Sequence, residues 1–272
     1  MYKGSPKGGS SSQYYIGSFD GSTFTPMDNA VRFTSFGKDD YAGVTWNNVP
    51  DNKRLWISWA SNWEYTTDVP TYPFRSTFTL PHYLSLAEVN LTNQIQSLKL
   101  RHTPVDLSNI KLDTLINQTE ESNKSSVDFP KESPIDFELQ VSKKGESTDK
   151  SSKQTSKITI ESDDGVNSLE IGLQFMNHIL YINRGNAGFK NPLFSDVSST
   201  SITIPENNPT VKLRGIVDRS QLELFVNDGI DYASTVFYFD GDRLPSRISY
   251  SNDEGVITKS FKVDTLDSVW EC

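Results

Sequence analysis

Cysteine is almost absent. The single thiol is Cys272, the last of 272 residues, so no intramolecular disulfide can form. Histidine is nearly as scarce. His82, His102 and His178 stand far apart in sequence, with no cysteine or carboxylate at ligand spacing, so no metal site and no cofactor is predicted. No apolar run approaches about 18 residues, which leaves no candidate membrane span. Basic runs are missing as well: the longest is Lys143-Lys144, against a net charge of −9. Phosphate backbones need a basic patch, so nucleic acid is an unsuitable partner and a neutral sugar fits better. The opening residues, Met1 to Gly9, form a polar stretch without the basic-then-apolar pattern of a secretory signal. No 3.6-residue apolar period persists anywhere, so no helix beyond a short turn is predicted.

What is present is a succession of short β-branched and aromatic runs punctuated by tight turns. Gln13 to Ser18, then Asp20-Gly21, then Thr23 to Thr25 read as a hairpin with a favoured turn pair. Tyr41 to Trp46, Leu55 to Ala60, Arg75 to Leu80 and Tyr83 to Leu86 are further strand candidates. Leu55 to Ala60 is apolar nearly throughout and is expected to be buried on both faces. Residues 87–103 read as a connector, and 108–133, rich in Asn, Ser and Lys, as a long exposed loop. Ile135, Phe137, Leu139 and Val141 then alternate with Asp136, Glu138 and Gln140, the pattern of a half-buried strand. Similar strands follow to Val263, separated by Asp163-Asp164-Gly165, Asn227-Asp228-Gly229 and Asp240-Gly241-Asp242. Strands at this spacing predict a β-sandwich.

Two blocks carry a family resemblance. The first is Phe36-Gly37-Lys38-Asp39 with Tyr41-Ala42, then Trp59-Ala60-Ser61-Asn62-Trp63-Glu64-Tyr65, Val69-Pro70-Thr71 and Arg75-Ser76. The second is Leu213-Arg214-Gly215-Ile216-Val217-Asp218-Arg219-Ser220, followed by Glu223, Phe225 and Asn227-Asp228-Gly229. Tyr181 to Asn186 lies between them. In order and separation they resemble the yeast and fungal invertases and inulinases, the β-fructofuranosidases that hydrolyse terminal fructosyl bonds of sucrose and fructans.

The resemblance implies an all-β chain: residues 1–86 as the last blades of a five-bladed β-propeller, 87–103 as a linker and 104–272 as a C-terminal β-sandwich. It implies no cofactor, a sucrose or fructan ligand, an extracellular setting and a possible homo-oligomer through the sandwich. The sequons Asn90-Leu91-Thr92, Asn117-Gln118-Thr119 and Asn123-Lys124-Ser125 agree with secretion. With no signal present, they lead us to expect that the beginning of the protein lies upstream.

A retaining glycosidase needs two carboxyl groups about 5–5.5 Å apart, as nucleophile and acid/base. In the family these sit in a W-M-N-D-P-like and an E-C motif, with a third carboxylate in an R-D-P motif. All precede the region matched here, so no catalytic residue is assigned and the chain alone is expected to be inactive. The terminal Trp270-Glu271-Cys272 copies the acid/base motif in the wrong place and is read as coincidence. The alternative function is a non-catalytic carbohydrate-binding or assembly module.

Trp63 is the one residue the resemblance implies in substrate contact, since an indole face packs on a sugar ring and its N–H donates. Trp46, Trp56 and Trp59 are expected in the core. Asp39, Asp40 and Glu64 are possible pocket carboxylates, Asp40 more simply an exposed turn residue. Arg75 reaches either the pocket or a nearby acid. The family usually has an acid where Ser35 stands, which puts ordinary sucrose binding in doubt. Asp218, Arg219 and Glu223 read as surface or inter-domain ion pairs. A propeller cut to one or two blades is expected to leave strand edges and an apolar flank open.

Overall fold

Alternating apolar residues and left-handed turn residues translate directly into strands and reversals. The computed structural model describes residues 8–91, 95–194, 196–205 and 209–268. Among them there are twenty strands, two single-turn 3-10 segments and no α-helix. Trp270, Glu271 and Cys272 lie outside the described residues, as do Met1 to Lys7.

The first unit holds β1 (Gln13–Tyr14), β2 (Gly17–Phe19), β3 (Phe24–Pro26), β4 (Arg32–Phe33), β5 (Tyr41–Thr45), β6 (Arg54–Trp59), β7 (His82–Leu91) and β8 (Ile95–Pro104). β2 and β3 form the expected hairpin. The Asp20 carboxylate accepts from the backbone N–H of Ser22 (2.8 Å) and Thr23 (2.7 Å), and Gly21 takes φ +97°. β5, β6, β7 and β8 make one antiparallel sheet in chain order. The stretch expected as a connector lies within its long β7–β8 hairpin, where His82 pairs with Pro104 and Leu91 with Ile95.

The second unit holds β9 (Lys111–Gln118), β10 (Lys124–Asp128), β11 (Ile135–Lys143), β12 (Thr155–Ser162), β13 (Ser168–Gln174), β14 (Ile179–Asn183), β15 (Val197–Ser201), β16 (Thr210–Asp218), β17 (Gln221–Val226), β18 (Asp231–Val236), β19 (Pro245–Asn252) and β20 (Val256–Leu266). They form two six-stranded sheets, β10-β19-β12-β13-β14-β15 and β18-β17-β16-β11-β20-β9. The inward residues of both, among them Phe137, Leu139, Ile158, Ile171, Leu213 and Phe261, share one buried core. Burial of each such side chain stabilises by about 1.5–3 kcal/mol.

Four expectations need correction. Residues 108–133 are not one loop: they contain β9 and β10, each at the edge of its sheet. An edge strand tolerates polar residues on its solvent side, so alternation is faint there. Arg75 to Leu80 is not a regular strand. It runs beside β6 through Ala60 N to Thr77 O (3.0 Å), Thr79 N to Ser58 O (2.9 Å) and an isolated Trp59–Phe78 bridge, and Ser76 at φ +87° breaks its extension. Leu55 to Ala60 is only partly buried, because one flank of its sheet lies open in this chain. Trp46 lies on the surface, 43% exposed, for the same reason.

The two units meet along a seam. Residues 35–39 run beside β18, with Phe36 N donating to Tyr232 O (2.9 Å) and Ser234 N to Ser35 Oγ (3.1 Å). Gly37 is required here, since a Cβ would stand 2.0 Å from the Ser234 carbonyl oxygen.

Candidate functional site

Asn62 shapes the loop that carries Trp63. Its carboxamide oxygen accepts from Glu64 N (3.0 Å) and Ser10 N (3.4 Å), and its amide donates to Lys38 O (3.0 Å) and Ser10 O (3.1 Å). Trp63 N donates to Ser10 Oγ (3.2 Å). With its backbone held on all sides, Trp63 turns its indole outward, 65% exposed. The ring lies 4.8 Å from that of Trp59, which in turn contacts Tyr41 at 6.3 Å. Together with Val44, Ile57 and Phe78 they line an open groove of about 390 Å³. Tyr72 and Phe74, shortly before the groove residue Ser76 in sequence, are exposed as well. Such a surface packs against the C–H faces of a sugar or against further polypeptide.

The three carboxylates considered with Trp63 do not line this groove. Asp39 is buried at the seam. It accepts from the Tyr65 hydroxyl, from Arg184 Nη1 (2.8 Å) and from Val236 N (2.9 Å). Arg184 also donates to Val236 O (2.7 Å) and lies over the Phe194 ring, 3.4 Å from its centre. Asp40 is not an exposed turn residue: it is 1% exposed and accepts from the hydroxyls of Thr34 and Ser58. Burial raises its pKa, and those two hydrogen bonds only partly oppose this. Glu64 pairs with the buried Lys38 at 2.5 Å. Arg75 donates to Val69 O (3.3 Å) and is in no ion pair among the described residues.

In the second unit, Arg219 makes an exposed ion pair with Glu132 at 3.6 Å. Asp218 is in no ion pair among the described residues. Glu223, read from sequence as an ion-pair partner, is instead buried with no cation within 4 Å among them; Gln221 Nε2 donates to it at 2.6 Å, and the Tyr232 hydroxyl bonds its other oxygen. Burial pushes its pKa up to about 8 against those hydrogen bonds. His82 and His102, far apart in sequence, touch at 2.9 Å. No group of three metal-ligating side chains occurs among the described residues. The roles of Arg184 and Glu223 were missed. The available signal was the lone glutamate inside the otherwise uncharged strand β17; Arg184, just past the end of β14, carries no such local mark.

The open aromatic groove of the first unit suits the face of a sugar ring, and the comparisons give the class. Residues 96–268 match the model described as "Glycosyl hydrolases family 32 C terminal", and residues 2–98 match "Glycosyl hydrolases family 32 N-terminal domain". The chain belongs to glycosyl hydrolase family 32. It is 32% identical to an invertase of Schizosaccharomyces pombe over 279 residues, covering 99% of this chain and 48% of that protein. It is 32% identical over 246 residues to an extracellular exo-inulinase of Meyerozyma guilliermondii, covering 88% of this chain and 47% of that one. The β-fructofuranosidase of Schwanniomyces occidentalis, solved with fructosyl-erythritol, superposes with a TM-score of 0.88 at 28% identity, over 98% of this chain and 55% of that one. The chain thus spans about half the length of the curated relatives it matches.

Proposed function

We propose that this chain works as the C-terminal half of a β-fructofuranosidase, with Trp63 contacting the sugar and the reacting carboxylates supplied by the half of its relatives that it does not span. The observation that carries this reading is the open aromatic groove around Trp63, combined with likeness to invertases and inulinases on both sides of the seam. In this reading residues 1–86 close a five-bladed propeller, 87–103 connect and 104–272 form the β-sandwich. One upstream carboxylate attacks the anomeric carbon of the fructosyl unit while a second protonates the departing oxygen. Water then cleaves the fructosyl-enzyme by the reverse proton path. Trp63 offers its ring face to the fructosyl C–H groups and its Nε1–H to a hydroxyl, which orients the bond to be cleaved. Secretion agrees with the extracellular relative, and the exposed Asn117 and Asn123 are its glycan acceptors. The two-sheet unit is the surface for any homo-oligomer.

Trp63→Ala, made in this chain joined to the upstream half of a relative, tests the assignment. The expected result is a fall in kcat/KM for sucrose of roughly 10–100-fold, about 1–3 kcal/mol of transition-state binding, with unchanged thermal stability. An unchanged kcat/KM removes Trp63 from the site.

A further inference from the structure

We propose that the seam between the two units is a proton-operated latch, held shut in mildly acidic solution by an uncharged carboxyl group and an uncharged imidazole pair. The inference rests on the seam alone and does not need the glycosidase reading.

One continuous network crosses the seam, and both of its ends lie on residues 78–80 of the first unit. Phe78 O accepts from Gln221 Nε2 (3.0 Å), which also donates to Glu223 Oε1 (2.6 Å). The other Glu223 oxygen bonds the Tyr232 hydroxyl. The Tyr232 ring stacks on His102 at 4.6 Å and 12°. His102 Nδ1 meets His82 Nε2 at 2.9 Å, and His82 Nδ1 meets Leu80 O at 3.0 Å. A carbonyl only accepts, so His82 carries its proton on Nδ1 and offers a lone pair at Nε2. His102 must then donate from Nδ1. His82 therefore holds one proton in this arrangement, and burial disfavours a second on His102. A second proton on His82 would set two N–H groups against each other.

Among the described residues, no charge stands ready to compensate a change. Glu223 and Asp40 are each buried, and neither has a cation within 4 Å among the described residues. Lys99 on β8 and Asp231 on β18 share the cleft with His102 and Tyr232, but they neutralise one another at 2.8 Å. Arg32 on β4 lines that cleft bound to Asp28 at 2.5 Å, and Arg184, which bonds Val236 at the end of β18, is bound to Asp39. An ionised Glu223 or an imidazolium would therefore be a buried, unpaired charge.

The titrations run in opposite directions. Burial pushes Glu223 from an ordinary 4.5 up to about 8, so its contribution is full below 4.5 and is lost as pH rises toward 8. Asp40 is raised by burial and acts in the same sense. Burial lowers His82 from an ordinary 6.5 to about 4, so its contribution is full above 6.5 and is lost as pH falls toward 4. His102 is lowered well below its ordinary value, by burial first and then by His82, and acts in the same sense as His82. Between 4.5 and 6.5 the slopes of Glu223 and His82 oppose each other. Outside that interval one acts alone, and the seam weakens.

The test is the melting temperature of the full chain from pH 4 to 8.5, for wild type and Glu223→Gln. Glutamine keeps the shape of the protonated acid, accepting from Gln221 and donating to Tyr232. Wild type is expected to show a broad maximum near pH 5–6 and to lose at least about 3 °C by pH 8.5. Glu223→Gln is expected to match wild type within about 1 °C at pH 5.5 and to lose most of the alkaline fall. A variant profile parallel to wild type overturns the proposal. Should the variant not fold, hydrogen exchange of wild type at pH 5.5 and 8.5, corrected for the intrinsic rate, decides. Loss of protection at pH 8.5 confined to β7, β8, β17 and β18, with β12 and β13 unchanged, supports the latch; uniform loss overturns it.

Discussion

Arg184→Met lowers the stability of the chain by about 3–5 kcal/mol in urea unfolding, because it strands the Asp39 carboxylate without its partner in a buried site. The guanidinium is 2% exposed and touches both units, through Asp39 and Tyr65 on one side and Val236 and Phe194 on the other. Asp39 cannot relax into water, being 0% exposed. Methionine fills much of the volume, so the loss reports charge rather than a cavity. Adding Asp39→Asn to the variant is expected to restore a large part of it, since no unpaired charge then remains. A loss below about 1 kcal/mol for the single variant would mean that the pair contributes little to the seam.

Gly229→Ala is the second large effect. Asn227, Asp228 and Gly229 take φ of 48°, 58° and 87° in succession, and the β8 strand lies directly against the turn. His102 N donates to Gly229 O at 2.9 Å, while a Cβ on residue 229 would stand 1.7 Å from His102 O. Both the left-handed backbone and the clash act, with an expected cost of about 2–5 kcal/mol. Gly241→Ala is the control. Gly241 has φ +62° with nothing within 4 Å of its added Cβ, so only the backbone penalty of about 1–2 kcal/mol applies. Equal losses in the two variants, measured by thermal unfolding, would show that the β8 contact is soft.

The parts of the fold legible in the sequence are those where one face is dry. Ile135, Phe137, Leu139 and Val141 are all buried, and their alternation announces β11. Asp20-Gly21 announces its hairpin. β9, β10 and β15 escaped because edge strands wet one side and carry Asn, Ser and Lys without penalty. The seam escaped for a different reason. Asp39 and Arg184 are 145 residues apart, and nothing local marks either as buried. The first resemblance block and the Tyr181 to Asn186 stretch meet there through Asp39 and Arg184, so a family pattern that looked like a sugar pocket in part reflects docking of the units. Asp40 was misjudged because a carboxyl beside polar neighbours reads as exposed, whereas the hydroxyls of Thr34 and Ser58 satisfy it inside. His82 and His102 meet only because the β7–β8 register brings them side by side. Trp63 was legible as an outward indole from its polar neighbours Ser61, Asn62 and Glu64, while Trp46, expected inside, lies on the open flank.

Sucrose hydrolysis by this chain, alone and placed behind the upstream half of the Schizosaccharomyces pombe invertase, tests the central claim most directly. No hydrolysis above background is expected from the chain alone, and measurable hydrolysis is expected from the joined protein. Hydrolysis by the chain alone, or a folded, monodisperse joined protein with no activity, would contradict it.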